Sequence, residues 1–158
     1  MYSTTATAAP PRLSEESGSV SAPTWPPPPR PPDHSAVIAL PADASRVRTA
    51  RRFVTAHLIH WQVAQAEQDR AELIVSELAG NAARHGRTDM TIRISLVDRD
   101  LRIDVTDSGS PASSRSLLPA PSDEAGRGLR LVGLLADWTA IRPHMQGWRA
   151  CAGLHCSA

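Results

Sequence analysis

Apolar and polar positions alternate strictly over Met90–Leu96, where Met90, Ile92, Ile94 and Leu96 are separated by Thr91, Arg93 and Ser95. The alternation returns at Leu101, Ile103 and Val105, between Arg102, Asp104 and Thr106. Period-two patterning predicts two half-buried strands, joined as a hairpin across Asp98-Arg99-Asp100. Ahead of the hairpin the period becomes helical. Val47, Ala50, Val54 and Leu58 predict a first helix from about Ser45 to about His60, with Arg46, Arg48, Arg51 and Arg52 forming a solvated face. A second helix is predicted from about Gln68 to His85, buried through Leu73, Ile74, Val75, Leu78, Ala79 and Ala82 and stopped by Gly86. Val37–Leu40 has the length of a short strand, and Pro41–Ser45 supplies a stop and then a helix start. Beyond the hairpin, Ser108 to about Gly126 is rich in Ser, Pro, Gly and Ala without periodicity, and loops of that length are functional or disordered. Gly126-Arg127-Gly128 then opens an amphipathic helix with Leu129, Val132, Leu135 and Ala136 on one face, ending near Asp137. A last strand is expected between Trp148 and Leu154.

The order strand, helix, helix, hairpin, loop, helix, strand predicts an α+β fold. The expected architecture is a two-layer α/β sandwich whose mixed, mostly antiparallel sheet carries its helices on one face. A chain of 158 residues holds one such domain. Residues 1–35 contain nine of the fourteen prolines, including the run Trp25–Pro32, and cannot bury enough apolar surface to offset the entropy of ordering. They read as a disordered tail, a tether or a ligand for a proline-recognising domain, ahead of a folded domain at 36–158.

Charge narrows the function. A formal net charge of +1, from 17 basic and 16 acidic residues, gives no reason to expect nucleic acid or an anionic membrane as partner. Every basic residue other than histidine is arginine, which excludes a P-loop lysine or a Schiff base. Cys151 and Cys156 flank His155 without a paired C-x-x-C, so they read as thiols in a reducing cytosol rather than as zinc ligands. With no signal pattern and no apolar run of membrane-spanning length, a soluble cytoplasmic protein is expected.

The candidate chemistry lies on the second helix. Glu77 and Asn81 are one turn apart on one face, and His85 continues the stripe. A carboxylate, a carboxamide and an imidazole beside a core-facing surface suggest a site, although His85 is equally placed to cap the helix C-terminus. Two further motifs follow in order: Asp107-x-Gly109 at the end of a strand, and Gly126-x-Gly128 at the start of a helix. Neither a Walker motif nor a G-x-G-x-x-G after a first strand is present.

Together these motifs resemble the N, G1 and G2 boxes of the GHKL, or Bergerat-fold, ATPases. That superfamily is shared by gyrase, mismatch-repair ATPases, a heat-shock chaperone and sensor histidine kinases. Within it the chain is most similar to the anti-sigma-factor serine-protein kinases, through Val75–His85 and Gly126–Val132. The resemblance implies ATP and Mg²⁺ as cofactors. Asn81 would coordinate the Mg²⁺ through its amide oxygen, and Glu77 would accept the proton of a nucleophile approaching the γ-phosphate. Asp107 would bond the adenine amino group, with Gly109 letting backbone approach the base. Gly126, Arg127, Gly128 and Leu129 would hold phosphate oxygens at a helix N-terminus, with His85 also in the cofactor site and the intervening loop as the lid. Arg84, Arg87 and Arg127 are further phosphate candidates among which spacing does not choose. The resemblance also implies a homodimer that binds a sigma factor, or that phosphorylates Ser or Thr of an antagonist protein in a partner-switching circuit. A nucleotide-binding interaction module without transfer, or a slow ATPase, would use the same fold. Two departures stand out: Pro111 in place of a second G1 glycine, and Gly147-Trp148 where relatives often carry Gly-Thr.

Overall fold

Isoleucines on the helix-facing side of two neighbouring strands set the centre of the molecule. In the computed structural model, which describes residues 31–85, 88–108, 124–144 and 147–157, these strands are β2 (Asp89–Val97) and β3 (Asp100–Asp107). Ile92, Ile94 and Ile103 are fully buried, and each contributes roughly 1.5–3 kcal/mol by leaving water. The turn between the strands is Asp98-Arg99, tightened by a positive φ at Asp98. The backbone N–H of Asp98 donates to Asp33 Oδ2 at 2.7 Å.

β1 (His34–Pro41) pairs with β2, while β5 (Gly147–His155) pairs with β3 and with β4 (Trp138–His144). The sheet order is β1-β2-β3-β5-β4, and the sheet expected to be mostly antiparallel is antiparallel at every pairing. Three corrections apply. β1 starts at His34, so His34 and Ser35 lie in the sheet rather than in the tail; residues 1–30 fall outside the described residues. β4 has no counterpart in the sequence reading. Trp148–Leu154 is a strand longer by one residue at each end.

The helices cover one face. α1 (Val47–His60) follows a 3-10 turn, Ala44–Arg46, in which the Asp43 carboxylate accepts from the Ser45 N–H at 2.7 Å. α2 (Gln65–His85) buries Ala71, Ile74, Val75, Leu78, Ala79 and Ala82, but Leu73 is 48% exposed because its position turns away from both α1 and the sheet. α3 (Glu124–Leu135) starts two residues before Gly126. Arg70 of α2 ties down its far end, donating from Nε to the Leu135 carbonyl at 2.9 Å and lying 3.6 Å from the Asp137 carboxylate.

The open face of the sheet carries one buried carboxylate, Asp104, held by Arg102 at 3.0 Å and Arg149 at 3.1 Å. Burial alone would raise its pKa, yet hydrogen bonds from Arg102 and Cys151 and the two arginine charges bring it below the ordinary value. Desolvation pushes the thiols of Cys151 and Cys156 up, so at neutral pH both remain protonated.

At the start of α2, Glu67 is buried and its Oε1 accepts from the Ser157 hydroxyl at 2.9 Å and the Ser157 N–H at 3.3 Å. These bonds lower the Glu67 pKa. The stability they give is complete above the unfolded glutamate range, near pH 4.5, and is lost as pH falls through the depressed folded value. Ser157→Ala is therefore expected to be less stable than wild type at pH 7, with the difference shrinking below about pH 4. Urea unfolding at pH 7, 5 and 3.5 measures this, and a difference that grows in acid would refute it.

Candidate nucleotide site

The site is assembled by the link between α2 and the sheet. His85 ends α2 and Asp89 begins β2, whose next residue, Met90, pairs with Asp107. Only three residues intervene, so the last turns of α2 are tethered to the end of the sheet where Asp107 stands. Ser108 fastens the same corner. Its hydroxyl lies 2.7 Å from the Thr88 hydroxyl and accepts from the Asp89 N–H at 3.1 Å, while its own N–H donates to the Asp89 carbonyl at 3.2 Å. The sequence reading passed over Ser108; its position directly after the strand-ending aspartate was the available signal.

Asp107 is buried on the helix side of β3, and its Oδ1 accepts from the backbone N–H of Trp148 at 3.3 Å. Trp148 is its registered neighbour on β5 and is itself buried. The position where relatives often carry threonine thus places an indole beside the carboxylate.

Glu77 and Asn81 are both half-buried on α2. Among the described residues neither side chain finds a hydrogen-bond or ion-pair partner. Being half-buried, both reach solvent, where water or a ligand can bond them, unlike the buried Gln68 on the same helix, which donates to the Val63 carbonyl at 2.7 Å. Two adjacent polar groups without protein partners are suited to a ligand. His85 and Arg84 are exposed at the end of α2.

α3 approaches from the side of Glu77. Gly128 is buried, and a Cβ at this position would overlap the Glu77 carboxylate and lie 3.3 Å from its Cδ. Glycine permits this approach; any side chain would contest the space taken by the carboxylate. Gly126 lies in the first turn, where N–H groups lack intrahelical acceptors. Gly128 is the fifth residue of α3, beyond those four, so its contribution here is close packing. Arg127 is exposed and Leu129 half-buried against the core. Gly109 and Arg87 lie outside the described residues, as does most of the expected lid.

The donor set fits a magnesium nucleotide. An amide oxygen suits a hard cation that keeps water and phosphate ligands, the first turn of α3 presents N–H groups toward anions, and a buried carboxylate can read an amino group. Among the described residues no group of three His, Cys, Asp or Glu side chains could hold a metal unaided. No described helix is long and apolar enough to cross a membrane.

An antiparallel five-stranded sheet with three helices on one face, and this polar cluster at one end of α2, defines an ATPase domain of the GHKL class. The chain belongs to the histidine kinase-like ATPase domain family, which matches residues 40–149. Among solved structures it is similar to the RsbU and RsbW domains of Rv1364c from Mycobacterium tuberculosis, with a TM-score of 0.63 and 21% identity. The match covers 79% of this chain and 33% of that one, so the chain spans about a third of that protein's solved length, and the likeness concerns the fold. None of the curated proteins compared matches the chain.

A packing prediction follows from the Gly128 contact. Gly128→Ala is expected to leave the thermal midpoint within a few degrees of wild type, because the flexible end of Glu77 can move aside. Any phosphoryl transfer should fall by about tenfold or more as the carboxylate is displaced. Melting curves alongside phosphorylation rates test it; unchanged transfer would show that the contact has no role in placing Glu77.

Proposed function

We propose that this protein is a cytoplasmic serine/threonine protein kinase of the anti-sigma-factor type. It binds ATP with Mg²⁺ and phosphorylates a Ser or Thr of an antagonist protein in a partner-switching circuit. The observation that carries the proposal is the partnerless, half-buried pair Glu77 and Asn81, with Glu77 pressed against Gly128 of α3. The bound nucleotide supplies the phosphoryl group and Mg²⁺ neutralises its charge. Asn81 would hold the metal through its amide oxygen, Asp107 would take the amino group of the base, and the first turn of α3 from Glu124 through Gly126 and Arg127 would hold the phosphates. Glu77 accepts the proton of the incoming Ser or Thr hydroxyl. Phosphate adds about two negative charges to the antagonist, enough to break a complementary interface. The functional unit is a homodimer that also binds a sigma factor, with the ATPase domain beginning at β1 (His34) and the proline-rich segment ahead of it as a tether; neither nucleic acid nor a membrane is a partner.

A second reading, a nucleotide-binding interaction module without transfer, is favoured by one observation, the indole of Trp148 directly opposite Asp107. Incubating the full chain with γ-labelled ATP and candidate antagonist proteins separates the two. Label on an antagonist serine that is lost in Glu77→Gln supports the kinase; binding of ATP without transfer to any antagonist supports the module.

A further inference from the structure

α1 carries a surface that the ATP site leaves unused. Arg48, Arg51, Arg52, Thr55, Ala56 and Ile59 recur at helical spacing and line one open groove of about 540 Å³, closed on its other side by Glu72 of α2. The stripe runs from cationic to apolar, ending on Ile59, which is 58% exposed.

Stability does not account for it. α1 contains no acidic residue, and among the described residues none of its groove arginines is ion-paired. Arg48 lies in the first turn, where the helix dipole disfavours a cation, and Arg48 and Arg52 are like charges one turn apart. By contrast, Arg70, Arg102 and Arg149 are each spent on a carboxylate. The groove arginines therefore cost the isolated domain a little stability and offer their charge outward.

We propose that the α1–α2 groove docks an acidic amphipathic segment of a partner protein. Its carboxylates would meet Arg48, Arg51 and Arg52, and an apolar side chain one to two turns on would cover Ile59. Charge complementarity selects this occupant. A second copy bound through the same helix would bring an α1 with no acidic residue to meet the arginines, and a phosphate backbone has no use for the apolar end. Bidentate pairing with carboxylates and a buried aliphatic anchor are the ordinary components of such a contact. Glu72 and Asn81 are nine residues apart, so they point about 180° from each other around α2. Docking thus leaves the nucleotide site open, and the inference stands whether or not phosphate is transferred.

The test uses the full chain and a labelled synthetic peptide, helical and amphipathic, with glutamates along two turns and leucines along the next. Fluorescence anisotropy should show binding that weakens with salt. The double variant Arg51→Glu/Arg52→Glu should bind at least about tenfold more weakly, and should prefer the same peptide with lysine in place of glutamate. The milder Arg51→Gln/Arg52→Gln should fall between, which keeps the result readable if charge reversal perturbs folding. Asn81→Ala should bind the peptide as wild type does, separating a failed ATP site from a failed groove. Equal binding of the acidic peptide by wild type and the charge-reversed variant would overturn the inference. So would binding of single-stranded DNA or phosphatidylglycerol vesicles, lost in that variant, in place of the peptide.

Discussion

Asn81→Ala is expected to abolish Mg²⁺-dependent ATP binding while leaving the fold intact. The side chain is half-buried, makes no hydrogen bond among the described residues and leaves the buried face of α2 to Ile74, Val75, Leu78 and Ala82. Its loss therefore removes no structural bond, and alanine is a better helix former. Any stability change should stay within about 0.5 kcal/mol. Loss of an outer-shell partner commonly lowers metal affinity by about 10–100-fold, and loss of a direct oxygen ligand should cost at least as much. Asn81→Asp is the informative companion. It retains an oxygen ligand but adds a charge beside phosphate, so it should bind ATP more weakly than wild type and more tightly than Asn81→Ala. Titration with a fluorescent ATP analogue, with and without EDTA, checks both.

Glu77→Gln is expected to behave in the opposite way, keeping ATP and losing transfer. Glutamine preserves size and hydrogen-bonding capacity, so the packing against Gly128 remains possible. It cannot accept a proton. Removing a general base typically costs about 10²–10⁴-fold in rate, and the loss should appear in kcat with little change in KM for ATP. Glu77→Asp is expected to recover part of the rate, because it restores a base set back by one methylene. Equal transfer by Glu77→Gln and wild type would remove Glu77 from the chemistry and leave the carboxylate with a packing role against α3.

Much of this arrangement was legible in the residues because two periods are written plainly. The alternation of Met90–Leu96 and Leu101–Val105 gave the hairpin and its buried face; the connection proved one residue shorter than expected, since Asp100 pairs with Val97. The helical spacing of Val47, Ala50, Val54 and Leu58 gave α1 within a turn of its bounds. β4 was not legible. Trp138–His144 contains a proline, buries no residue and sits at the sheet edge, where the alternation that marks a strand is not required. β5 was under-called for a related reason. Gly153 looks like a strand breaker, yet a Cβ there would fall within the Trp138 indole, so glycine is what lets the edge strand lie against its neighbour.

The ordered boxes Glu77/Asn81, Asp107 and Gly126/Gly128 lie on a helix, a strand end and a helix, as the sequence suggested, but spacing along the chain carries no information about side-chain approach. That Gly128 packs on the Glu77 carboxylate, that Ser108 knots Thr88 and Asp89 to the strand end, and that Trp148 lies opposite Asp107 all depend on contacts between residues far apart in the chain. The arginines of α1 illustrate the same gap. As sequence they read as a solvated face; only the packing of α2 beside them turns that face into one wall of a groove.

Calorimetric titration of the wild-type protein and Asn81→Ala with ATP in the presence of Mg²⁺ decides whether α2 carries a nucleotide site. Saturable binding by wild type, lost in EDTA and in the variant, is expected. Wild-type protein that binds no nucleotide, or an Asn81→Ala protein that binds it equally well, would rule the site out.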